Sequence, residues 1–332
     1  MVKFSEKENK KLYLSNRLIN KEALKRGIKV EILNAGKNLV ILTHKSKTAF
    51  MQATKTFLNS SVSLVMTDHK DLANIVFERF GFPVPRRENA TNLREAAAIV
   101  SNIGFPVVLK RPTGTGGKYV YPGISNIKEL KRFAKELLKD EKKVIIEKQV
   151  IGSDYRFLVV GLKCVSVVER TPAFVVGDGV KNIAELVKEE NKNPLRKPLH
   201  LGPLLNIEID GETRRILKNS GMTIDSIPKR NQKVQLKYTA NHSKGGSTEI
   251  VTDKVHPDNK KLAEDIAKKF NLGIAGVDFM TLDASLSYKK NNLYVIEVNA
   301  TPSFGLHYQP SFGKGEDVSP YVLDLLFPET KK

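Results

Sequence analysis

A chain of 332 residues with 40% hydrophobic content is long enough to bury a sizeable core and to divide into two or three subdomains. Its 55 lysines and arginines outnumber 36 aspartates and glutamates, for a formal net charge of +19, and its single cysteine, Cys164, excludes an internal disulfide and a cysteine-based zinc cluster. The opening MVKFSEKENKKLY is charged where a secretory signal needs an apolar core, and no apolar run approaches bilayer-spanning length, so a cytoplasmic, globular protein is expected.

In chain order, apolar spacing predicts a helix over residues 13–26, strands at 29–33 and 39–43, and a helix around 49–58, together a small αβ unit. Residues 70–80 have helical periodicity and stop at Gly81, ahead of the extended Pro83-Val84-Pro85. A further helix over 92–102 ends at Gly104. The pattern then turns to strands: 105–112 (FPVVLKRP), a flexible loop at 113–117, and a resumed strand at 118–121. An amphipathic helix at 127–138 precedes the buried strand 144–150 (VIIEKQV), and strands at 155–160 and 164–169 flank a turn at Gly161. Residues 183–190 read as helix, 191–227 as loops with one short helix, 262–270 as helix, and 321–326 close the chain. Strands at 273–282 and 292–298 are joined by the polar stretch 283–291, which suits a hairpin connection. The elements lack a strict βαβ rhythm, so the expected class is α+β with largely antiparallel sheets.

That last hairpin carries the strongest chemical clue. Side chains two apart in a strand point the same way, so Glu297 and Asn299 share a face, and an antiparallel partner can bring Asp278 beside them. The flanks VIEVN and GVDFM are apolar, where uncompensated acids are costly. Hard oxygen ligands in this number suit a pair of divalent cations, magnesium above all, completed by water and nucleotide phosphates. A second clue is Thr113-Gly114-Thr115-Gly116-Gly117-Lys118, a loop whose backbone N–H groups can approach a phosphate closely, with Lys110 at the end of the preceding strand. It is not a P-loop, which needs glycine at Pro112 and Ser or Thr at Tyr119. Nor is it a dinucleotide fingerprint, because Tyr119 stands where the third glycine belongs.

Lys110 with its glycine loop, the strand VIIEKQVIGSDYRFLVV, and the Asp278, Glu297, Asn299 set resemble the ATP-grasp superfamily of carboxylate–amine ligases. The segments ERTPAFVVGDGVKNIAELVKEENKNPLR, MTIDSIPKRNQKVQLKYTANHSKGGSTEIVTDKVHPDN and IEVNATPSFGLHYQPSFGKGEDVSPYVLDLLFP are similar to the ATP-grasp portions of cyanophycin synthetases and fused glutathione synthetases, over residues 23–328. The resemblance implies an ATP-grasp fold with a short N-terminal unit at 1–66, an N-terminal ATP-grasp subdomain with the glycine lid at 67–146, and a C-terminal subdomain with the metal site at 147–328. It implies ATP and two Mg²⁺ ions, with Mn²⁺ as a substitute. Lys70, Lys110 and the loop residues Thr113, Gly114, Gly116 and Gly117 would meet phosphates. Glu147 with the backbone of Lys148, Gln149 and Val150 would meet adenine, Asp154 the ribose, and Asp278, Glu297 and Asn299 the metal. Arg156, Arg170 and Arg196, with Lys110, would assist catalysis, the 193–196 loop would cover the site, and His242 and His307 would lie near it in base or hydrogen-bonding roles.

Two positions depart from the family pattern. Gly276 stands where some members carry arginine, so that charge must come from Arg156, Arg170 or Arg196, and Lys244 interrupts the relatives' Ser-Thr-Gly-Gly loop. The expected reaction joins an amino-acid or short-peptide carboxylate to an amine, with a γ-glutamyl or aspartyl peptide as the leading substrate. Addition of amino acids to a larger peptide or protein tail is the alternative. The rival from another class is a non-catalytic, basic nucleic-acid-binding protein. Against it, the lysines are scattered, with only pairs such as Lys260-Lys261, and there is no tryptophan or basic-aromatic alternation. Small-molecule substrates, no specific nucleic acid and no membrane are therefore the expected partners, with homo-oligomerisation open.

Overall fold

The structure, a computed structural model, describes residues 4–114, 119–196, 204–241 and 244–331. After a single-turn α1 (Glu6–Asn9), α2 (Leu14–Lys25) leads into an antiparallel sheet of β1 (Lys29–Asn34), β2 (Leu39–His44) and β3 (Lys47–Gln52). The sequence reading placed a helix at 49–58; β3 replaces its start. Ala49 and Met51 are buried and Phe50 exposed, a period of two that fits the pleat, and Leu42 and Val40 of β2 pair with Ala49 and Met51. A helix from Ser61 to Asp68, α3, was not foreseen; Ser60 caps it by accepting from the Ser63 N–H.

Next come α4 (Lys70–Arg79), β4 (Arg87–Ala90), α5 (Leu93–Ile103), β5 (Val107–Lys110), β6 (Val120–Ile124), α6 (Ile127–Leu137) and β7 (Val144–Lys148). The strands form a sheet in the order β4-β7-β5-β6. Asn92 and Asn126 cap α5 and α6, whose apolar faces bury Ile99, Val100, Leu130 and Ala134 against Leu109 and Ile146. Each fully buried leucine or isoleucine contributes roughly 1.5–3 kcal/mol to that packing.

The remaining elements are β8 (Ser153–Val160), β9 (Lys163–Thr171), β10 (Phe174–Val176), α7 (Ile183–Glu190), α8 (Gly211–Asn219), β11 (Lys233–Gln235), β12 (Ser247–Ile250), α9 (Pro257–Lys269), β13 (Ile274–Thr281), β14 (Leu293–Asn299), α10 (Gly305–Tyr308) and α11 (Ser319–Leu326). They build a five-stranded sheet, β12-β9-β8-β13-β14, and a small β10-β11 ribbon. Every pairing between named strands is antiparallel, as the α+β reading expected. Phe157, Val159, Val277 and Phe279 point into a core shared with α4 and α9. Strand alternation leaves Arg156 and Asp278 on the other side. That side is packed at its far end, where Leu158, Val160 and Ile274 join a core with α2, β1, β2, β3 and α11. Arg26 at the end of α2 donates to Asp324 Oδ1 at 2.7 Å and to the Pro320 carbonyl at 3.2 Å, fastening α2 to α11. No helix among the described residues is long and apolar enough to cross a membrane.

Candidate active site

The site is built on adjacent strands. Register places Arg156 opposite Asp278, Asp278 opposite Glu297, Gly276 opposite Asn299, and Asp154 opposite Arg170, so three acids, two arginines and a carboxamide line one stretch of sheet. Asn59 holds this frame: its side chain donates to the carbonyls of Ile274 and Ala300 at 2.8 and 2.6 Å and accepts from the Ile274 N–H at 3.0 Å.

The arginines and aspartates here are paired, and Asp278 is the most deeply buried of them. Arg156 donates from Nε to Asp278 Oδ1 and from Nη2 to Oδ2 at 2.8 Å. Arg170 Nη2 lies 3.0 Å from the same Oδ2, and Arg170 Nε donates to Asp154 Oδ1 at 2.9 Å. Burial pushes the Asp278 carboxyl up, but Arg156 and Arg170 outweigh it and hold it below the ordinary aspartate value. Asp154 goes the other way, raised by burial and by its neighbour Asp278 despite Arg170. Gly276 gives the arginine its room: a Cβ there would stand 3.1 Å from Arg156 Cδ and 2.9 Å from Pro302 Cβ.

The Glu297 side chain makes no hydrogen bond or ion pair with the described residues, and Asn299 Nδ2 is buried without a partner among them. His307 is fully buried, with Nδ1 2.7 Å from Ser166 Oγ and Nε2 unpartnered. Burial, with the charges of Arg156 and Arg170, pushes its pKa down to about 3, so it is a neutral imidazole at physiological pH.

A second group faces the nucleotide end of the predicted site. Lys110 and Glu147 are buried, and Lys110 Nζ donates to Glu147 Oε2 at 2.8 Å. Lys70, the first residue of α4, donates from Nζ to the Gly114 carbonyl at 2.5 Å, and its N–H reaches the Pro112 carbonyl at 2.7 Å, tying the helix start to the root of the glycine loop. Burial lowers the Lys70 pKa, Glu297 opposes this and Lys110 adds to it, so Lys70 stands within electrostatic range of both groups. Thr113 bridges to His69. Gly116, Gly117, the rest of that loop, and His242 lie outside the described residues.

Other predicted residues are engaged elsewhere. Lys148 Nζ donates to the carbonyls of Gly104 and Phe105 at 3.2 and 2.8 Å, and Gln149 Oε1 accepts from the Gly123 N–H at 2.6 Å, which fixes the strand end running into Val150. Arg196 donates to Glu190 at 3.0 Å and to the carbonyls of Leu205 and Gly245 at 2.6 and 3.1 Å; the structure spends its guanidinium on shaping the 193–196 loop. Lys244 pairs with Glu212 at 2.7 Å. Sequence reasoning missed Asn59 and Arg87, the latter a buried β4 residue beside Glu147 whose only signal was a pair of arginines after Pro-Val-Pro.

Comparison with known proteins bears on the fold. A RimK-like ATP-grasp domain model matches residues 209–309, and an ATP-grasp-like domain model matches residues 10–62. Both matches are to ATP-grasp domains, and the fold is the ATP-grasp fold. Cyanophycin synthetase of Trichormus variabilis is 34% identical over 315 residues, 95% of this chain and 35% of that protein. The glutathione biosynthesis bifunctional protein GshAB of Clostridium perfringens is 31% identical over 320 residues, 95% of this chain and 41% of that protein. The crystal structure of a bifunctional glutathione synthetase from Pasteurella multocida superposes with a TM-score of 0.69 at 31% identity, covering 96% of this chain and 44% of that one. This ATP-grasp chain therefore spans well under half the length of the relatives it matches.

Proposed function

We propose that this chain is an ATP-dependent carboxylate–amine ligase, forming an amide bond through an acyl phosphate. The observation that carries the reading is the juxtaposition of Asp278, Glu297 and Asn299 with the Arg156–Arg170 pair, and of Lys70 between that set and Lys110. We take residues 67–146 and 147–328 as the two subdomains that enclose ATP, and 1–66 as an N-terminal unit.

A carboxylate oxygen of the substrate attacks the γ-phosphorus of ATP, and the bond to the β-phosphate bridging oxygen breaks, releasing ADP. A neutral amine then attacks the acyl carbon. The carbon–oxygen bond to phosphate breaks, and phosphate leaves as the amine gives up its proton. Such transfers depend on alignment and on cations spread over the oxygens, so the chain needs no nucleophilic serine or cysteine. Lys110 and Lys70 meet the phosphates, with Thr113 and Gly114 at the root of the phosphate loop. Glu147 with the strand through Lys148, Gln149 and Val150 borders adenine, and Asp154 the ribose. Arg156 and Arg170 face the negative oxygen of the acyl phosphate and of the tetrahedral intermediate. Arg196 shapes the loop over the acceptor.

Two carboxylates and a carboxamide, with Glu297 unpaired and no cluster of three or more acidic, histidine or cysteine ligands among the described residues, suit magnesium held jointly with phosphates rather than in an all-protein cage. Asp278, Glu297 and Asn299 would hold it, and it would neutralise and align the β- and γ-phosphates; two ions, or manganese in their place, fit the same donor set. The preferred carboxylate donor is a γ-glutamyl or aspartyl peptide, in keeping with the glutathione synthetase relatives. The similarity to cyanophycin synthetases supports a second reading, stepwise addition of amino acids to a longer peptide. A screen of amino acids and dipeptides for ADP release, with mass spectrometry of the products, tests both. Release with no candidate acid and amine under saturating ATP and magnesium would remove the ligase reading.

A further inference from the structure

We propose that Arg87 is a positioning residue for Lys110: it takes over the Glu147 carboxylate when Lys110 turns to the nucleotide phosphates. The inference rests on the ligase reading above, in which Lys110 meets those phosphates.

Glu147 Oε2 receives Lys110 Nζ at 2.8 Å and lies 3.8 Å from Arg87 Nη1, and the side chains of all three residues are at most 6% exposed. An ammonium held by a buried carboxylate keeps two further N–H donors, but its position is set by that carboxylate, and turning to a phosphate weakens the contact. If Lys110 swings away, Glu147 is left ionised, buried and unpaired, a state that opposes the swing. A second cation against the same oxygen removes that obstacle.

Arg87 is in place for this and has donors to spare. It is the direct cross-strand partner of Glu147, so the two backbones are fixed side by side. Its Nε and Nη1 are buried without a hydrogen-bond partner among the described residues. What it does touch is weak: the Asn74 carbonyl at 3.5 Å, and Glu78 at 3.5 Å, whose side chain is 61% exposed and therefore screened by water. Buried donors are rarely left unused, and the buried carboxylate oxygen that Nη1 approaches is the one that Lys110 already occupies. A side-chain movement under 1 Å would turn the Arg87–Glu147 approach into a hydrogen bond. A guanidinium suits the task because it stays charged when buried and offers a fork of donors.

The test is a double-variant cycle read by calorimetric ATP titration and by ADP release. Arg87→Met should weaken ATP binding about tenfold in the native background, and by less than about twofold in Glu147→Gln, where a neutral amide no longer traps Lys110. Turnover at saturating ATP should change less than affinity. Arg87→Lys, which keeps the charge on a shorter reach, should give a smaller loss with the same background dependence, and it carries the test if Arg87→Met does not fold. An equal loss in both backgrounds would make Arg87 a packing residue and overturn the proposal alone. Unchanged ATP affinity in Lys110→Ala would overturn the nucleotide-site reading, and this proposal with it.

Discussion

The two charged clusters of the site differ in what they lack. Around Lys110, two buried cations, Lys110 and Arg87, meet one buried carboxylate, Glu147, with Lys70 in electrostatic range of Lys110. On the five-stranded sheet, Asp154, Asp278 and Glu297 face two arginines, both already paired, and Glu297 has no cationic partner in hydrogen-bonding contact among the described residues. One cluster is short of anion and the other short of cation. On the proposed reading, a polyphosphate with a bound divalent ion would complete both at once, offsetting the cost of several kcal/mol apiece of burying such charges unpaired.

The largest effect that would break this contrast is at the acid-rich cluster. Glu297→Gln keeps size and shape and removes the carboxylate of this cluster that no described side chain pairs, so turnover should fall on the order of 10²-fold or more while the melting temperature stays put. Near-normal ADP release at ordinary magnesium would mean that Glu297 holds no ion. Next comes the arginine pair. Arg170→Ala should cut turnover by about 3 kcal/mol, roughly 10²-fold, and change ATP affinity far less, with Arg170→Lys recovering only part because a point charge lacks the bidentate fork. Normal turnover in Arg170→Ala alongside a crippled Arg156→Ala would move the role to Arg156.

Gly276→Ala sharpens the same question more gently. The added methyl meets Arg156 Cδ and Pro302 Cβ at 3.1 and 2.9 Å, so Arg156 must shift, and turnover should drop several-fold, on the scale of 1 kcal/mol, at constant ATP affinity. An unchanged rate would show that the exact seat of Arg156 is unimportant. The smallest expected effect concerns the charge outside both clusters. Binding of DNA or RNA should be weak and should fade steeply between low and physiological salt, as sequence-independent phosphate contacts do. Tight, sequence-selective binding at physiological salt would overturn the metabolic reading of a +19 chain.

The two clusters were unequally visible in the sequence. Asp278, Glu297 and Asn299 could be read because strand alternation and a short hairpin are local rules, and the observed register joins them as the pattern predicts. Lys110 was legible from the glycine loop beside it. Arg87 was not, since its meaning depends on β4 pairing with a strand nearly sixty residues later, which no local period encodes. The same limit accounts for the missed β10, β11 and β12, each three or four residues long, too short to show alternation. At 49–58 a short apolar run was ambiguous between periods, and only pairing with β2 decides it. Arg196 was placed with the catalytic arginines by resemblance; which carbonyls its guanidinium would shape is a tertiary fact.

The seam between α2 and α11 bears on how the protein is made. Arg26 and Asp324 are 298 positions apart, and Val322, Leu323, Leu326 and Phe327 fill the same core as Ile19, Val30 and Val40. At synthesis rates of roughly 5–20 residues per second, the early helix and its sheet leave the ribosome some 15 to 60 s before their last packing partner exists. Through that interval the apolar side of β1 to β3 is open to water and to neighbouring chains. The unit formed by α2 and β1 to β3 is therefore translated well before the helix that completes its core, and its folding finishes only when α11 arrives.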